Sequence, residues 1–210
     1  MKPCEIHYLL GQASTAREQF PNGIHTFALY WITWEAYRTR MLAIAVRLCG
    51  WSIDDAYCAI GAKGISNQST YRGCFKKITG IELAEQRGML GRVWKNLDDI
   101  EALRHRLIHG YRGANPLLIG NAIDFLDIVL TNHEQIFGKL TIVLEGQQIQ
   151  LGNVLAQRPA TGRSIRIRRE RQELIQCLQP KRQLSKLPDS DVIKRLQRVV
   201  EELDPSDLRN

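Results

Sequence analysis

The hydrophobic period of this chain changes once, near Gly138, and that change limits its architecture more than any other feature. Before it, apolar residues recur at alternating spacings of three and four, the repeat of helices that each bury one face. The clearest run spans Asn22 to Leu48, where Phe27, Tyr30, Trp34, Tyr37, Met41, Ile44 and Leu48 form one stripe. Asn22 is a candidate N-cap for this helix, and Gly50 a stop. Ser52 precedes Ile53 as a further cap, and Gly80 follows Phe75 to Thr79 as a stop. Helical segments are then predicted from Leu83 to Trp94, from Leu97 to His109 and from Pro116 to Phe137, with no strand between Ile6 and Phe137.

After Gly138 the period falls to about two. Leu140 to Leu144 and Gln148 to Leu151 flank Glu145-Gly146-Gln147, which predicts a β-hairpin. Ser164 to Arg168 also alternates and would add a third strand, with Arg166 and Arg168 on one exposed face. Ser190 would cap a last helix whose Val192, Ile193, Leu196, Val199, Val200 and Leu203 form an apolar stripe, suited to packing on the body or on a partner. The expectation is therefore a mainly α protein: a helical bundle over 1–137, then a basic β/α extension over 138–210.

Composition narrows the class. At 44% hydrophobic and 24% charged, the 210 residues are those of a globular chain. The longest uncharged stretch, Gln19 to Trp34, is about 16 residues and holds Pro21, Asn22, Gly23 and His25, short of the ~20 apolar residues of a membrane span. Met1 to His7 carries Glu5 and lacks the apolar core of a signal peptide, so a cytoplasmic location is expected. The five cysteines, Cys4, Cys49, Cys58, Cys74 and Cys177, are scattered and never form C-x-x-C, which favours neither disulfides nor a thiolate metal site.

The net charge of +7 is local: Arg158 to Lys186 holds nine basic and two acidic residues, and the rest of the chain is balanced. Such a block is either a solvated face or the footprint of a phosphate binder, since each cation set against phosphate releases counterions. Arg163, Arg166, Arg168, Arg169 and Arg171 are the candidate RNA contacts within it.

The densest chemistry lies in Leu103-Arg104-His105-Arg106-Leu107-Ile108-His109-Gly110-Tyr111-Arg112. On an ideal helix Ile100, Leu103, Leu107 and Tyr111 share one stripe, and Arg104 falls inside it. A guanidinium drawn toward a core needs partners or a purpose. One reading is an ion pair with Glu101, three residues earlier; a pair with Glu35 of the long helix is another. His105 and His109 share a face, but without an H-E-x-x-H pattern, a cysteine or a third histidine nearby they do not make a metal site, and no cofactor is expected.

This decapeptide resembles the signature of the HEPN superfamily, the all-α domains found in many prokaryotic toxin, phage-defence and CRISPR-associated ribonucleases. The family pattern is Arg, a polar residue, three variable positions and His, and Arg104, His105 and His109 occupy those places. Leu107-Ile108 and then His109-Gly110-Tyr111 match an extended form of it. A long helix carrying Trp34, Glu35 and Tyr37 ahead of the motif, and a second long helix after it, also fit, so the resemblance spans about residues 20 to 137. It implies metal-independent cleavage of RNA by Arg104 and His109, with His105 orienting Arg104 or the scissile phosphate. It implies a homodimer, whose facing motifs supply two Arg and two His to one cleft. In one subfamily a tyrosine at the place of Tyr111 is adenylylated by a partner antitoxin; here Tyr111 either takes that role or completes the apolar stripe.

Three functions compete on these grounds: a ribonuclease acting as a toxin or phage-defence effector, a non-catalytic RNA- or nucleotide-binding protein, and an antitoxin-like or scaffold protein that docks a defence-system partner.

Overall fold

A computed structural model describes residues 2–48, 56–57, 60, 65, 67–108, 110, 113–144 and 147–156. The protein is mainly helical, with one small two-stranded antiparallel sheet. Among the described residues the elements are α1 (Pro3–Gln19), α2 (Ile24–Leu48), α3 (Gln68–Thr79), a 3-10 turn (Leu83–Glu85), α4 (Met89–Ile108), α5 (Pro116–Thr131), α6 (His133–Phe137), β1 (Thr141–Leu144) and β2 (Gln147–Gln150). No described helix is long and apolar enough to cross a membrane.

Helix α2 is the axis of the molecule. Every member of its predicted stripe is buried, and so are Trp31, Ala36, Leu42, Ala43, Ala45 and Val46, because α1, α3, α4 and α5 all pack on it. A helix covered on several sides reads as apolar on more than one face. Trp34 sits at the centre, 5.4 Å from Trp94 of α4, 5.9 Å from Phe137 of α6 and 6.0 Å from Tyr37, centroid to centroid. Aromatic rings at these separations add to the burial of their area.

Helix α1 was not legible as a separate element. Its apolar side is narrow, only Ile6 and Ala13 being fully buried, with Leu9 and Leu10 packed at the edge. Pro3 in its first turn was the available signal. Arg17 of α1 pairs with Asp124 and Asp127 of α5, and Tyr30 of α2 donates to Asp127 at 2.8 Å, so one polar knot joins three helices.

Several boundaries differ from the sequence expectation. Helix α2 begins at Ile24, two residues beyond Asn22. The predicted break between Trp94 and Leu97 does not occur: Asn96 turns its amide back to the Arg92 carbonyl at 2.8 Å, and α4 runs unbroken from Met89, while Leu83–Glu85 makes only a 3-10 turn. The single helix expected from Pro116 to Phe137 is two, interrupted at Asn132, whose backbone leaves the helical region and whose side chain caps the Ile128 carbonyl at 2.9 Å. Gly80 ends α3 as expected, in the left-handed conformation (φ 78°) that suits glycine.

The predicted hairpin forms, with Thr141 opposite Gln150 and Ile142 opposite Ile149. Ile142 and Leu151, then Val154 and Leu155, are buried in the same core as the helices, so that core continues past position 138. Arg40 of α2 holds the chain there: its Nε donates to the Val154 carbonyl at 2.7 Å, one terminal nitrogen to the Ala156 carbonyl at 3.2 Å and the other to the Tyr57 hydroxyl at 3.4 Å. The Ser52 cap, the third strand over Ser164 to Arg168 and the helix after Ser190 lie outside the described residues.

Candidate functional site

The motif lies at the C-terminal end of α4. Ile100 and Leu103 are buried and Leu107 packs against the core, so α4 presents these three members of the predicted stripe to the body. Gly110 follows at φ 66°, the left-handed conformation common just past a helix end. Asn115 then caps α5 by accepting from the Leu117 N–H at 2.9 Å, with Pro116 at the first helical position.

Arg104 is half-buried, as its place in the stripe predicts. One terminal nitrogen lies 3.5 Å from the His105 Nδ1, the outer limit of hydrogen bonding, and the buried Nε of Arg104 has no hydrogen-bond partner among the described residues. Donation to Nδ1 requires His105 to be neutral with its proton on Nε2.

Neither expected carboxylate pairs with Arg104 among the described residues. Glu101 turns instead to the start of α3, where its two oxygens accept from the Gln68 N–H at 3.0 and 3.1 Å. That first-turn N–H has no partner within its own helix, and the helix dipole favours an anion there. Asn67 completes the cap by accepting from the Thr70 N–H at 2.7 Å. Glu35 pairs with Arg38 of its own helix at 3.4 Å.

Arg38 was missed as a candidate. It is buried to 1% exposure, with its guanidinium carbon 5.6 Å from the Tyr71 ring centre and 6.0 Å from that of Trp31. Burial pushes its pKa below the usual value; Glu35, Tyr71 and Glu101 oppose that shift, and Arg104 adds to it. Arg38 and Arg104 are therefore neighbouring cations in one electrostatic cluster with Glu35 and Glu101. The sequence signal was Tyr37-Arg38-Thr39-Arg40, a polar run inside an otherwise apolar helix. Gln68 and Tyr71, one turn apart on α3, complete the buried polar surroundings, and neither the Gln68 amide nor the Tyr71 hydroxyl has a hydrogen-bond partner among the described residues.

The structure thus brings Arg104 and His105 together. His109, Tyr111, Arg163, Arg166, Arg168, Arg169 and Arg171 lie outside the described residues. The arrangement offers a planar cation, with donors that have no acceptor among the described residues, next to an imidazole, which suits an anion with several oxygens, phosphate above all. No protein-family model, no curated protein and no solved structure matches this chain.

Proposed function

We propose that this protein is a metal-independent endoribonuclease of HEPN type that works as a homodimer, in the role of a toxin or phage-defence effector. The observation that carries this reading is the Arg104 guanidinium, withdrawn toward the core at the end of α4 yet paired with neither Glu101 nor Glu35. A cation so placed is available to a phosphodiester.

The chemistry requires three services. A base takes the proton of the ribose 2′-OH as that oxygen attacks phosphorus. A fixed positive charge stabilises the pentavalent phosphorane. An acid gives a proton to the departing 5′-oxygen, leaving a 2′,3′-cyclic phosphate and a 5′-hydroxyl. Arg104 fills the second role, and His109, whose side-chain type titrates near neutrality, fills a proton-transfer role. His105 orients Arg104, and two chains supply the second histidine. Ile108 at the end of α4 is 54% exposed, and Leu117 and Leu118 in the first turn of α5 are 68% and 44% exposed. Apolar side chains left in water within the motif and just after it support a second copy of the chain packing there. RNA is the substrate, drawn also by the arginines of the basic segment, and a cognate antitoxin acting on Tyr111 is the regulatory partner.

The test is total RNA incubated with the purified chain in EDTA. Cleavage is expected, and His109→Ala should lower its rate about 10²-fold or more. Activity that demands a divalent metal and survives His109→Ala would overturn the reading. RNA binding or partner docking without cleavage is the second reading, favoured by the +7 segment from Arg158 to Lys186. Salt-sensitive RNA binding by a protein that never cleaves would establish it.

A further inference from the structure

Among the described residues, Gln68 is the one whose two side-chain polar atoms are both buried without a hydrogen-bond partner. It is completely buried at the start of α3, and neither its amide oxygen nor its amide nitrogen has a hydrogen-bond partner among the described residues. Groups of this kind are rare because they lose their water and receive nothing in return, so each calls for an explanation. An apolar residue of similar volume would suit a purely structural position better.

The surroundings of Gln68 supply one. Its backbone N–H is held by the Glu101 carboxylate at 3.0 and 3.1 Å, which fixes residue 68 beside α4. Arg104 lies three residues beyond Glu101, and side chains at that spacing are neighbours on a helix surface. Its Nε is a buried donor with no partner among the described residues. Gln68 is thus tied to Glu101 by a backbone hydrogen bond and Arg104 by its helical spacing, and the acceptor on α3 and the donor on α4, each without a partner among the described residues, are complementary.

We propose that Gln68 is the positioning residue for Arg104. Its amide oxygen accepts from the Arg104 Nε–H, directly or through one bridging water, when the guanidinium engages an RNA phosphate, and this fixes the plane of the guanidinium so that its terminal nitrogens face the phosphate oxygens. Binding from behind through Nε leaves the terminal donors free, which an ion pair with Glu101 would not. The inference rests on the reading of Arg104 as the phosphate-binding group of a ribonuclease.

Gln68→Leu keeps much of the volume and removes both amide atoms. The thermal midpoint should stay the same or rise, since two unsatisfied buried groups disappear, while kcat for RNA cleavage falls at least tenfold with KM little changed. Gln68→Glu, which keeps an acceptor at the same reach, should recover part of the rate. Adding Gln68→Leu to Arg104→Ala should cost nothing further, because the glutamine acts through the arginine. A second readout does not depend on cleavage: with a saturating short RNA whose 2′-hydroxyls are replaced by hydrogen, the Arg104 Nε–H should give a protected NMR signal that Gln68→Leu abolishes. A protected signal lost in the variant upholds the proposal even if the wild-type chain cleaves no RNA, in which case only the nuclease reading falls. Wild-type kcat in Gln68→Leu, or an Nε–H signal that the variant leaves unchanged or that is never protected, would overturn it.

Discussion

Arg40 and Arg104 are both drawn out of water, and the protein treats them in opposite ways. On Arg40 each of the three guanidinium nitrogens has an acceptor, two of them backbone carbonyls of the segment that follows the hairpin. On Arg104 the Nε has none among the described residues, and one terminal nitrogen only brushes His105. The first arginine is spent on holding residues 154–156 to α2. The second has an Nε with no acceptor among the described residues, although a carboxylate lies three residues away on the same helix. A saturated buried cation is a structural fastener, and an unsaturated one at a helix end is the better candidate for a ligand.

Several substitutions would break or sharpen that contrast. The largest stability effect is expected from Arg40→Met, which strands the Val154 and Ala156 carbonyls and should cost about 2–4 kcal/mol in denaturant unfolding. Arg104→Ala should cost less than about 1 kcal/mol in the same measurement, since Arg104 forms no ion pair among the described residues. Equal losses in the two variants would erase the distinction.

A smaller effect is expected at Glu101. Its charge supports the start of α3, so Glu101→Gln should cost about 0.5–1 kcal/mol, and less in high salt. If Glu101 were instead the counter-ion of Arg104, the same change would tighten RNA binding, which a titration with labelled RNA would reveal.

The smallest effect concerns acid. Burial lowers the pKa of His133, which lies 5.3 Å from the Tyr37 ring, centroid to centroid. In the unfolded chain this histidine takes up its proton near pH 6.5; in the folded protein it does so only at lower pH. Its contribution to stability is therefore fully present above about pH 6.5 and is lost as pH falls toward the folded value. His133→Gln should flatten that part of the stability profile, measured by urea unfolding between pH 7.5 and pH 5 with buffers chosen to span roughly that range. An unchanged slope would show that other groups carry it.

What the sequence disclosed follows from the range of the interactions. The stripe of α2, the stop at Gly80 and the hairpin are written in residues a few positions apart, and they were legible. Helix α1 was not, because two fully buried residues make too thin a stripe. Asn96 and Asn132 have the same side chain and opposite effects: both bond the carbonyl four residues back, yet α4 continues through the first and α5 ends at the second. The half-buried position of Arg104 could be read from helical geometry alone. Its freedom from Glu101 could not, since the competing bond joins residues 33 apart in the chain. The fastening of Arg40 was equally hidden, its carbonyl partners lying 114 and 116 residues away.

The central claim is that Arg104 is held in reserve for phosphate. It is tested most directly by the rate at which one defined RNA is cut in EDTA by the wild-type chain, Arg104→Lys and Arg104→Ala, with all three shown to unfold at similar midpoints. The account predicts cleavage by the wild type that leaves 2′,3′-cyclic phosphate ends, a rate about 10²-fold lower or worse for Arg104→Ala, and only partial recovery with lysine, which keeps the charge but not the planar fork. Equal rates for the wild type and Arg104→Ala would contradict it.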